Sequence, residues 1–417
     1  MTLEKDQTYF FRISRGYTPF DKHRTSGPVV PIGDHEIYSV DKGMTGTPAT
    51  YIVGFFPQAC ANWYRLTGSD AARDLGRGLA EYLHQHGEIL DPDTGRNLMD
   101  HYAHLSHSMV SNLAYALAVQ DKEMIKWVRR GFEYQIRMRD PEGTGILASD
   151  PTCSCFVADM INVGIMLSQA GEGDYWDDVD YIVRNRLAAM QFSDIERMCK
   201  SCDDMTDESR EIVERCLGDF SVGRAGYAPP AEWGCCTANG TYALYYAWHG
   251  ITRFQDDVAT VNLFMNRASE WMDVHSYLPY EGKVVLKNKQ ARTALVRIPS
   301  WVAMHEVRSL VNQQAVKPAA AGRYLVFQDL QPKAEIVLTF PIVERTGKYF
   351  IHNKEFTATF RGSTVIENDP PVALDDQRDK YYWSLYEWGH AQEDFTAGRT
   401  PTKMTKQFVP ASLLPLQ

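Results

Sequence analysis

The sequence predicts a protein of the α+β class, with a helical first part made of repeated hairpins and a second part that forms an antiparallel β-sandwich. Apolar residues recur at helical spacing over roughly the first 250 residues, and they alternate in short runs after about Val261. The change falls near residues 252–260. We therefore expect a helical domain over residues 1–255 and a β-sandwich domain over residues 256–417 that ends in an irregular tail from about Asp394.

The helical part is predicted from three units that repeat about every 50 residues, a period typical of stacked helical hairpins. The first unit covers residues 62–87, where Asp70 is the predicted cap. Its apolar residues share one helix face: Leu75, Leu79, Tyr82 and Leu83. Two similar units follow Asp121 and Asp174. We expect the first ~45 residues to be irregular, and the acidic residues from Asp174 to Asp180 to form a helix start with a solvated face.

The strands of the second part are predicted from short alternating runs separated by Gly, Pro, Asn and Asp. The clearest runs are KVVLKN, TALVRIPSW, RYLVFQDL, AEIVLTFPIV and FTATFRGSTVIEN. Several short strands at regular spacing with turn residues between them are typical of an antiparallel sandwich.

Composition narrows the class of protein. The chain has 417 residues, of which 44% are apolar and 23% are charged, so a mainly disordered chain is excluded. The net charge is −10, and an acidic surface repels phosphate, so we expect no nucleic-acid partner. The sequence lacks an apolar run of about 18–20 residues and a signal-peptide pattern at its start. We therefore expect no membrane partner and a cytoplasmic location.

Two pairs of cysteines stand out among the eight in the chain, Cys153 with Cys155 and Cys235 with Cys236. Each pair comes directly before an apolar run that is predicted to be helical. Helix N-termini carry partial positive charge and unpaired N–H groups, which stabilise thiolates. If the two helices are neighbours, four thiolates would form a closed tetrahedral zinc site, and one of them could act as a nucleophile.

A simpler interpretation stays open for each cysteine, because free cysteines are often small buried apolar residues. C-x-C and C-C are weaker metal signals than paired C-x-x-C motifs. Cys199 and Cys202 form a lone C-x-x-C in a polar segment, and a second, structural metal site there would lack a clear fourth ligand.

Several segments resemble one family of enzymes. They are CSCFVADM, GCCTANGTYALYYAW, VRIPSW and FRGSTVIENDPP. They look like the zinc-dependent β-L-arabinofuranosidase group, glycoside hydrolase family 127 and its relatives, over residues 61–371. The resemblance implies an (α/α)6 toroid followed by β-sandwich modules. The helical part supplies only about four hairpins of this period, so we expect an incomplete toroid or a ring completed by another chain, as in a homo-oligomer.

The resemblance implies hydrolysis of a glycosidic bond with retention, by a zinc-bound cysteine that attacks the anomeric carbon. Cys235 matches the nucleophile and Cys236 its neighbour. The Glu-x-Cys element of the family matches Cys153-Ser154-Cys155, so Cys153 stands where the family has a glutamate. The implied cofactor is zinc, held by Cys153, Cys155, Cys235 and Cys236, and the implied substrate is an oligosaccharide or another glycoside.

The family also uses a glutamic acid that protonates the leaving group. Here the candidates for this acid/base are Glu142 and Asp150, neither of which matches the family motif well, and Glu232, three residues before Cys235. A histidine that heads an earlier helix lines the sugar pocket of the family, and His107 is the best match, with His104 close by. Trp233 lies in the loop before Cys235 and is a candidate platform for stacking on a sugar ring.

Two other functions stay open from the sequence. The protein could be a non-catalytic relative whose zinc-cysteine cluster gives stability and whose groove binds a carbohydrate or a partner. Alternatively, a helical toroid could host a lyase or epimerase for uronic acids, with His107 and a nearby tyrosine as acid and base. Fold alone does not decide between them.

Overall fold

The computed structural model describes most of the chain between residues 48 and 369 and four short strands before it. The described residues are 2–3, 9–14, 29–32, 35–38, 48–85, 89–96, 98, 102–138, 154–191, 195, 210–211, 214, 217–220, 234–351 and 354–369. The chain divides into two compact units. Unit 1 consists of Met1–Arg139 and Asn162–Gly173, and unit 2 consists of Asp140–Ile161 and Asp174–Gln417.

Helices dominate the described residues between 48 and 251. They are α1 Pro48–Thr67, α2 Asp70–Gln85, α3 Tyr102–Val119, α4 Lys122–Glu133, α5 Ser154–Gln169, α6 Trp176–Ile182 and α7 Gly234–Ile251. Two of them continue as π-helix, α4 into Tyr134–Met138 and α6 into Val183–Leu187. A short α-helical turn, Ala188–Met190, follows the second π-helix. Strands start at Thr252 directly after α7, close to the domain boundary predicted at residues 255 and 256, which stays a prediction. None of the described helices is long and apolar enough to cross a membrane.

The predicted cap at Asp121 is confirmed, whereas the cap of α2 is Ser69, one residue before the predicted Asp70. The Asp121 carboxylate accepts hydrogen bonds from the backbone N–H groups of Glu123 and Met124 at the start of α4. At the start of α2, the Ser69 hydroxyl accepts the capping bond, and Asp70 is already the first helical residue. A short hydroxyl side chain caps as well as a carboxylate does, so the pattern alone did not separate the two.

The packing in unit 1 follows the predicted apolar face of α2. Leu79, Tyr82 and Leu83 are buried, and α2 packs against both α1 and α3. At Gly76 an added Cβ would lie 2.6 Å from the ring of Tyr115. The helices α2 and α3 can therefore approach closely only because residue 76 has no side chain.

The first residues of the chain contain strands, although we expected an irregular segment there. The strands are β1 Thr2–Leu3, β2 Tyr9–Ser14, β3 Val29–Ile32 and β4 His35–Tyr38. They form an antiparallel sheet in the order β1-β2-β4-β3. Aromatic and β-branched residues favour strands, and the run YFFRIS of β2 consists largely of them.

All the strand runs predicted after residue 280 are strands in the structure. Those between 252 and 311 are β5 Thr252–Gln255, β6 Val258–Val261, β7 Met272–Ser276, β8 Lys283–Asn288, β9 Thr293–Arg297 and β10 Arg308–Val311. The later strands are β11 Gln314–Val316, β12 Ala319–Ala321, β13 Tyr324–Phe327, β14 Glu335–Thr339, β15 Glu344–Ile351, β16 Lys354–Arg361 and β17 Thr364–Asp369.

These strands form two five-stranded sheets and one three-stranded sheet. The orders are β11-β10-β14-β8-β7, β12-β13-β9-β6-β5 and β15-β16-β17. Pairing is antiparallel throughout, except that β6 runs parallel to β9. Burial alternates along β13 and β14, so each has one face against apolar residues. Antiparallel sheets are thus confirmed, and the face-to-face arrangement of a sandwich stays a prediction.

An arginine-centred cluster joins the segment before α6 to strand β9 within unit 2. The guanidinium of Arg297, only 3% exposed, donates hydrogen bonds at 2.8–3.2 Å to the carboxylates of Asp174 and Asp177. The backbone N–H of Ser300 donates to Asp177 at 3.1 Å. We call these four residues the arginine cluster. The expectation that this acidic run is a solvated face is therefore wrong for Asp177, because a cation more than a hundred residues later pairs with it.

The same acidic run also anchors the β16–β17 hairpin. The hydroxyl of Ser363 donates a hydrogen bond to the buried carboxylate of Asp180. Asn185, in the π-helical segment, donates to the carbonyl of Ser363 at 2.8 Å and accepts from the N–H of Val365 at 2.9 Å. Buried polar groups at this hairpin are therefore paired with side chains from the α6 segment.

Candidate metal and active site

Cysteines lie in the first turns of helices α5 and α7, as the sequence predicts. Cys155 is the second residue of α5, and Cys235 and Cys236 are the second and third residues of α7. The α5 residues that follow Cys155 are almost all buried apolar residues, so packing fixes the start of this helix. On α7, an added Cβ on Gly240 would lie 2.1 Å from the side chain of Phe220. Because Gly240 has no side chain, Phe220 can pack directly against the backbone of α7.

The structure brings one cysteine of each predicted pair together within unit 2. The Sγ atoms of Cys155 and Cys236 are 3.9 Å apart. The two residues are 3% and 2% exposed, and they are not joined by a disulfide. The predicted convergence of the two helix starts is therefore observed for these two residues.

Two hydrogen bonds connect the same helix starts. The hydroxyl of Ser154 on α5 donates to the backbone carbonyl of Cys236 on α7 at 2.5 Å. In the opposite direction, Nδ2 of Asn239 on α7 donates to Sγ of Cys155 on α5 at 3.3 Å. We call Ser154, Cys155, Cys236 and Asn239 the cysteine cluster.

The separation of the two sulfurs fits a shared zinc ion. Zn–S bonds of about 2.3 Å in a tetrahedral site place two sulfur ligands about 3.8 Å apart. The observed 3.9 Å agrees with that value. Within the part of the chain that the structure describes, no three His, Cys, Asp or Glu residues lie together as a metal site. The other two predicted ligands are outside it, since Cys153 and the side chain of Cys235 are not described.

Polar side chains continue along the interface of α5 and α7 beyond the cysteines. Asp159 follows Cys155 by one helical turn and is 6% exposed. Burial raises the pKa of the Tyr246 hydroxyl on α7 to about 12, and the negative charge of Asp159 adds to the effect. Asp159 and Tyr246 are therefore close enough to interact, and Tyr246 stays protonated at neutral pH.

Sequence reasoning missed Ser154 and Asn239. A usable signal exists for Asn239, because it follows Cys236 by three residues and so shares its helix face. The role of Ser154 has no local signal, since its partner is a backbone carbonyl 82 residues later.

The other predicted site residues are less fully described. Glu142, Asp150, Glu232 and Trp233 lie outside the described residues. His107 lies on α3 in unit 1, where it is 6% exposed and its ring centroid is 4.7 Å from that of Phe55. His104 lies one turn earlier on the same helix, and its side chain is not among those that the structure describes.

Comparison with known proteins finds similarity in fold. No protein-family model and no curated protein sequence matches the chain. Among solved structures, a GH127 β-arabinofuranosidase matches with a TM-score of 0.54 and 15% sequence identity, over 74% of this chain and 55% of that one. A structure described as a glycoside hydrolase matches with a TM-score of 0.56 and 12% identity, over 77% of this chain and 61% of that one.

A third structure is a GH127 β-L-arabinofuranosidase from Geobacillus stearothermophilus T6. It has a TM-score of 0.48 and 16% identity, covering 74% of this chain and 57% of that one. The chain thus has a fold similar to that of family 127 glycoside hydrolases, with a helical part followed by antiparallel sheets. It spans 55% and 61% of the length of the two better-matching structures.

Proposed function

We propose that the protein is a retaining glycoside hydrolase, similar to β-L-arabinofuranosidases, with a cysteine nucleophile. The observation that carries this proposal is the approach of Cys155 and Cys236 to 3.9 Å from the first turns of two helices. The similar fold of a β-arabinofuranosidase supports it independently. Together they favour a thiolate site in the same kind of scaffold.

The proposed cofactor is zinc, with Cys153, Cys155, Cys235 and Cys236 as ligands. Four sulfurs form a closed tetrahedral site of the kind that zinc prefers. A zinc ion bound there keeps its cysteine ligands deprotonated and offsets their negative charge. Asn239 contributes a hydrogen bond to Cys155, which orients that sulfur.

The proposed reaction has two displacements. Sγ of Cys235 attacks the anomeric carbon while the bond to the leaving oxygen breaks, and a carboxylic acid donates its proton to that oxygen. Water then displaces the sulfur from the same carbon and gives a proton to the carboxylate. Two inversions retain the configuration. Glu142, Asp150 and Glu232 are the candidates for this carboxyl group.

The proposed substrate is an oligosaccharide or another glycoside with a terminal β-arabinofuranosyl group. His107, with His104 as the alternative, is the proposed sugar contact on α3, and Trp233 is the proposed stacking platform.

A second candidate function is a non-catalytic protein that binds a carbohydrate or a partner and uses zinc for stability. The observation in its favour is the 55% and 61% coverage of the two similar structures. A large part of each of those enzymes has no counterpart in this chain.

The test is hydrolysis of a panel of aryl glycosides, including the β-L-arabinofuranoside, by the zinc-loaded protein. We expect turnover of at least one substrate and a loss of kcat of about 10³-fold or more in Cys235→Ser, because a nucleophile is removed. The matched control is Cys60→Ser in α1. Burial raises the pKa of the Cys60 thiol, and Cys60 is not part of the cysteine cluster, so activity should be retained.

The two candidate functions give different results. Turnover that survives in Cys235→Ser contradicts the assignment of the nucleophile. Glycan binding by the zinc-loaded protein without turnover of any substrate in the panel favours the non-catalytic function instead.

A further inference from the structure

We propose that Ser154 and Asn239 are positioning residues that hold Cys155 and Cys236 at the spacing of a shared metal ion before the metal binds. The inference rests on the zinc site of the proposed function and adds to it two residues that contact the ligands. It follows from a reciprocal pattern of hydrogen bonds between α5 and α7.

Each donor lies beside a cysteine on its own helix and bonds to the other helix. Ser154 directly precedes Cys155, and its hydroxyl reaches the carbonyl of Cys236. Asn239 lies one turn after Cys236, and its amide reaches the sulfur of Cys155. Sliding or separating the two helix starts would therefore break both hydrogen bonds together.

Burial makes the Ser154 contact effective. Ser154 is fully buried, at 0% exposed, and Cys155 and Cys236 are almost fully buried. A buried hydroxyl that loses its acceptor is costly, so the hydrogen bond to Cys236 restrains the start of α7. The spacing of 3.9 Å between sulfurs is thus fixed by the protein, and the metal needs little rearrangement on binding.

The two hydrogen bonds act on different parts of the site. Ser154 bonds to a backbone carbonyl, so it sets the position of the helix start that carries Cys235 and Cys236. Asn239 bonds to a ligand sulfur itself, so it sets the direction of that sulfur and withdraws electron density from it. Partners that hydrogen-bond to metal ligands typically change metal affinity by about 10–100-fold when removed.

The experiment is a zinc titration of the purified full chain against a chromophoric chelator under reducing conditions. We compare wild type, Ser154→Ala and Asn239→Ala, and we expect each variant to bind zinc about 10–100-fold more weakly than wild type. The matched control is Thr241→Ala on α7. Among the described residues, the Thr241 hydroxyl bonds within its own helix, to the carbonyl of Thr237, so zinc affinity should not change.

A second readout separates positioning from general stability. With cobalt(II) in place of zinc, the sulfur-to-metal charge-transfer band should shift in Asn239→Ala, because the sulfur of Cys155 loses its N–H donor. It should keep its energy in Thr241→Ala. Circular dichroism and thermal unfolding of the metal-free proteins check that each variant folds, and the variants on the two helices are tested separately.

The outcomes distinguish this inference from the proposal on which it rests. Wild-type zinc affinity in both Ser154→Ala and Asn239→Ala, with an unshifted cobalt band, overturns the positioning role and leaves the zinc site intact. A wild-type protein that binds neither zinc nor cobalt overturns the zinc site and this inference together.

Discussion

The cysteine cluster and the arginine cluster are both polar contacts between distant segments of unit 2, yet their charges are balanced in different ways. Arg297 places one guanidinium between the carboxylates of Asp174 and Asp177, so positive and negative groups of the protein face each other. Cys155 and Cys236 bring two groups of the same type to 3.9 Å. When both sulfurs are ionised they repel each other, an arrangement that a divalent cation stabilises.

The difference separates a structural contact from a candidate site. A buried guanidinium with its hydrogen bonds made needs nothing further from solution, and it fixes strand β9 to Asp174 and to the first turn of α6. A pair of buried thiols at metal-ligand spacing gains stability from an ion. Both clusters join residues that are far apart in the chain, Cys155 with Cys236 and Asp177 with Arg297, so the sign of the charges is what indicates function.

The largest effect is expected from removing the cation of the arginine cluster. In Arg297→Leu, Asp174 and Asp177 face each other without the guanidinium. Breaking a fully buried ion pair costs about 3–5 kcal/mol. Because the side chains of Asp174 and Asp177 are 44% and 18% exposed, water screens their charges, and we expect the lower end, about 3 kcal/mol. We expect a loss of this size in the free energy of unfolding, measured by urea denaturation of the metal-free protein.

The matched control is Arg253→Leu. Arg253 is exposed and bonds to the side chain of Gln255 on the same strand, so the change should stay within about 0.5 kcal/mol. Equal losses in Arg297→Leu and Arg253→Leu would contradict the structural role of the arginine cluster.

Stabilisation by zinc should require Cys236, one of the four proposed ligands. At a free zinc concentration 100 times the Kd, we expect the wild type to gain about 2.7 kcal/mol in the free energy of unfolding. Cys236→Ser should lose most of this gain, whereas Cys60→Ser, which changes a buried cysteine outside the cluster, should keep it. The measurement is thermal or urea unfolding with and without zinc, under reducing conditions. An undiminished gain in Cys236→Ser would show that zinc binds elsewhere.

Much of the fold could be predicted because the signals are local. The alternation in KVVLKN and AEIVLTFPIV predicted β8 and β14, and the structure confirms both. The start of α4 at Asp121 was predicted because a capping carboxylate acts within three residues of its own position. The positions of Cys155 and Cys236 in the first turns of helices were predicted because both precede apolar runs, whereas their approach was expected only if the two helices are neighbours.

Other features could not be read from the sequence because their partners are distant. Asp177 looks like part of a solvated acidic face, and only the fold brings Arg297 to it. The parallel pairing of β6 with β9 likewise depends on how the chain crosses between strands. Ser154 is an ordinary helix-start residue until the carbonyl of Cys236 lies next to it. The roles of Glu142, Asp150 and Glu232 stay predictions.

The smallest effect, and the sharpest test of charge in the arginine cluster, is the pH dependence of Asp177→Asn. Burial would raise the pKa of the Asp177 carboxyl, but hydrogen bonds and charge from Arg297, helped by Ser300, lower it below its ordinary value overall. A lowered pKa adds stability above the unfolded value of about 3.9, and this stability disappears as the pH falls through the folded value. We therefore expect Asp177→Asn to be less stable by about 1–2 kcal/mol at pH 7 and to converge with wild type in acid. Urea unfolding across pH, with exposed Asp256→Asn as control, measures the difference, and parallel profiles would show that the carboxylate charge contributes nothing.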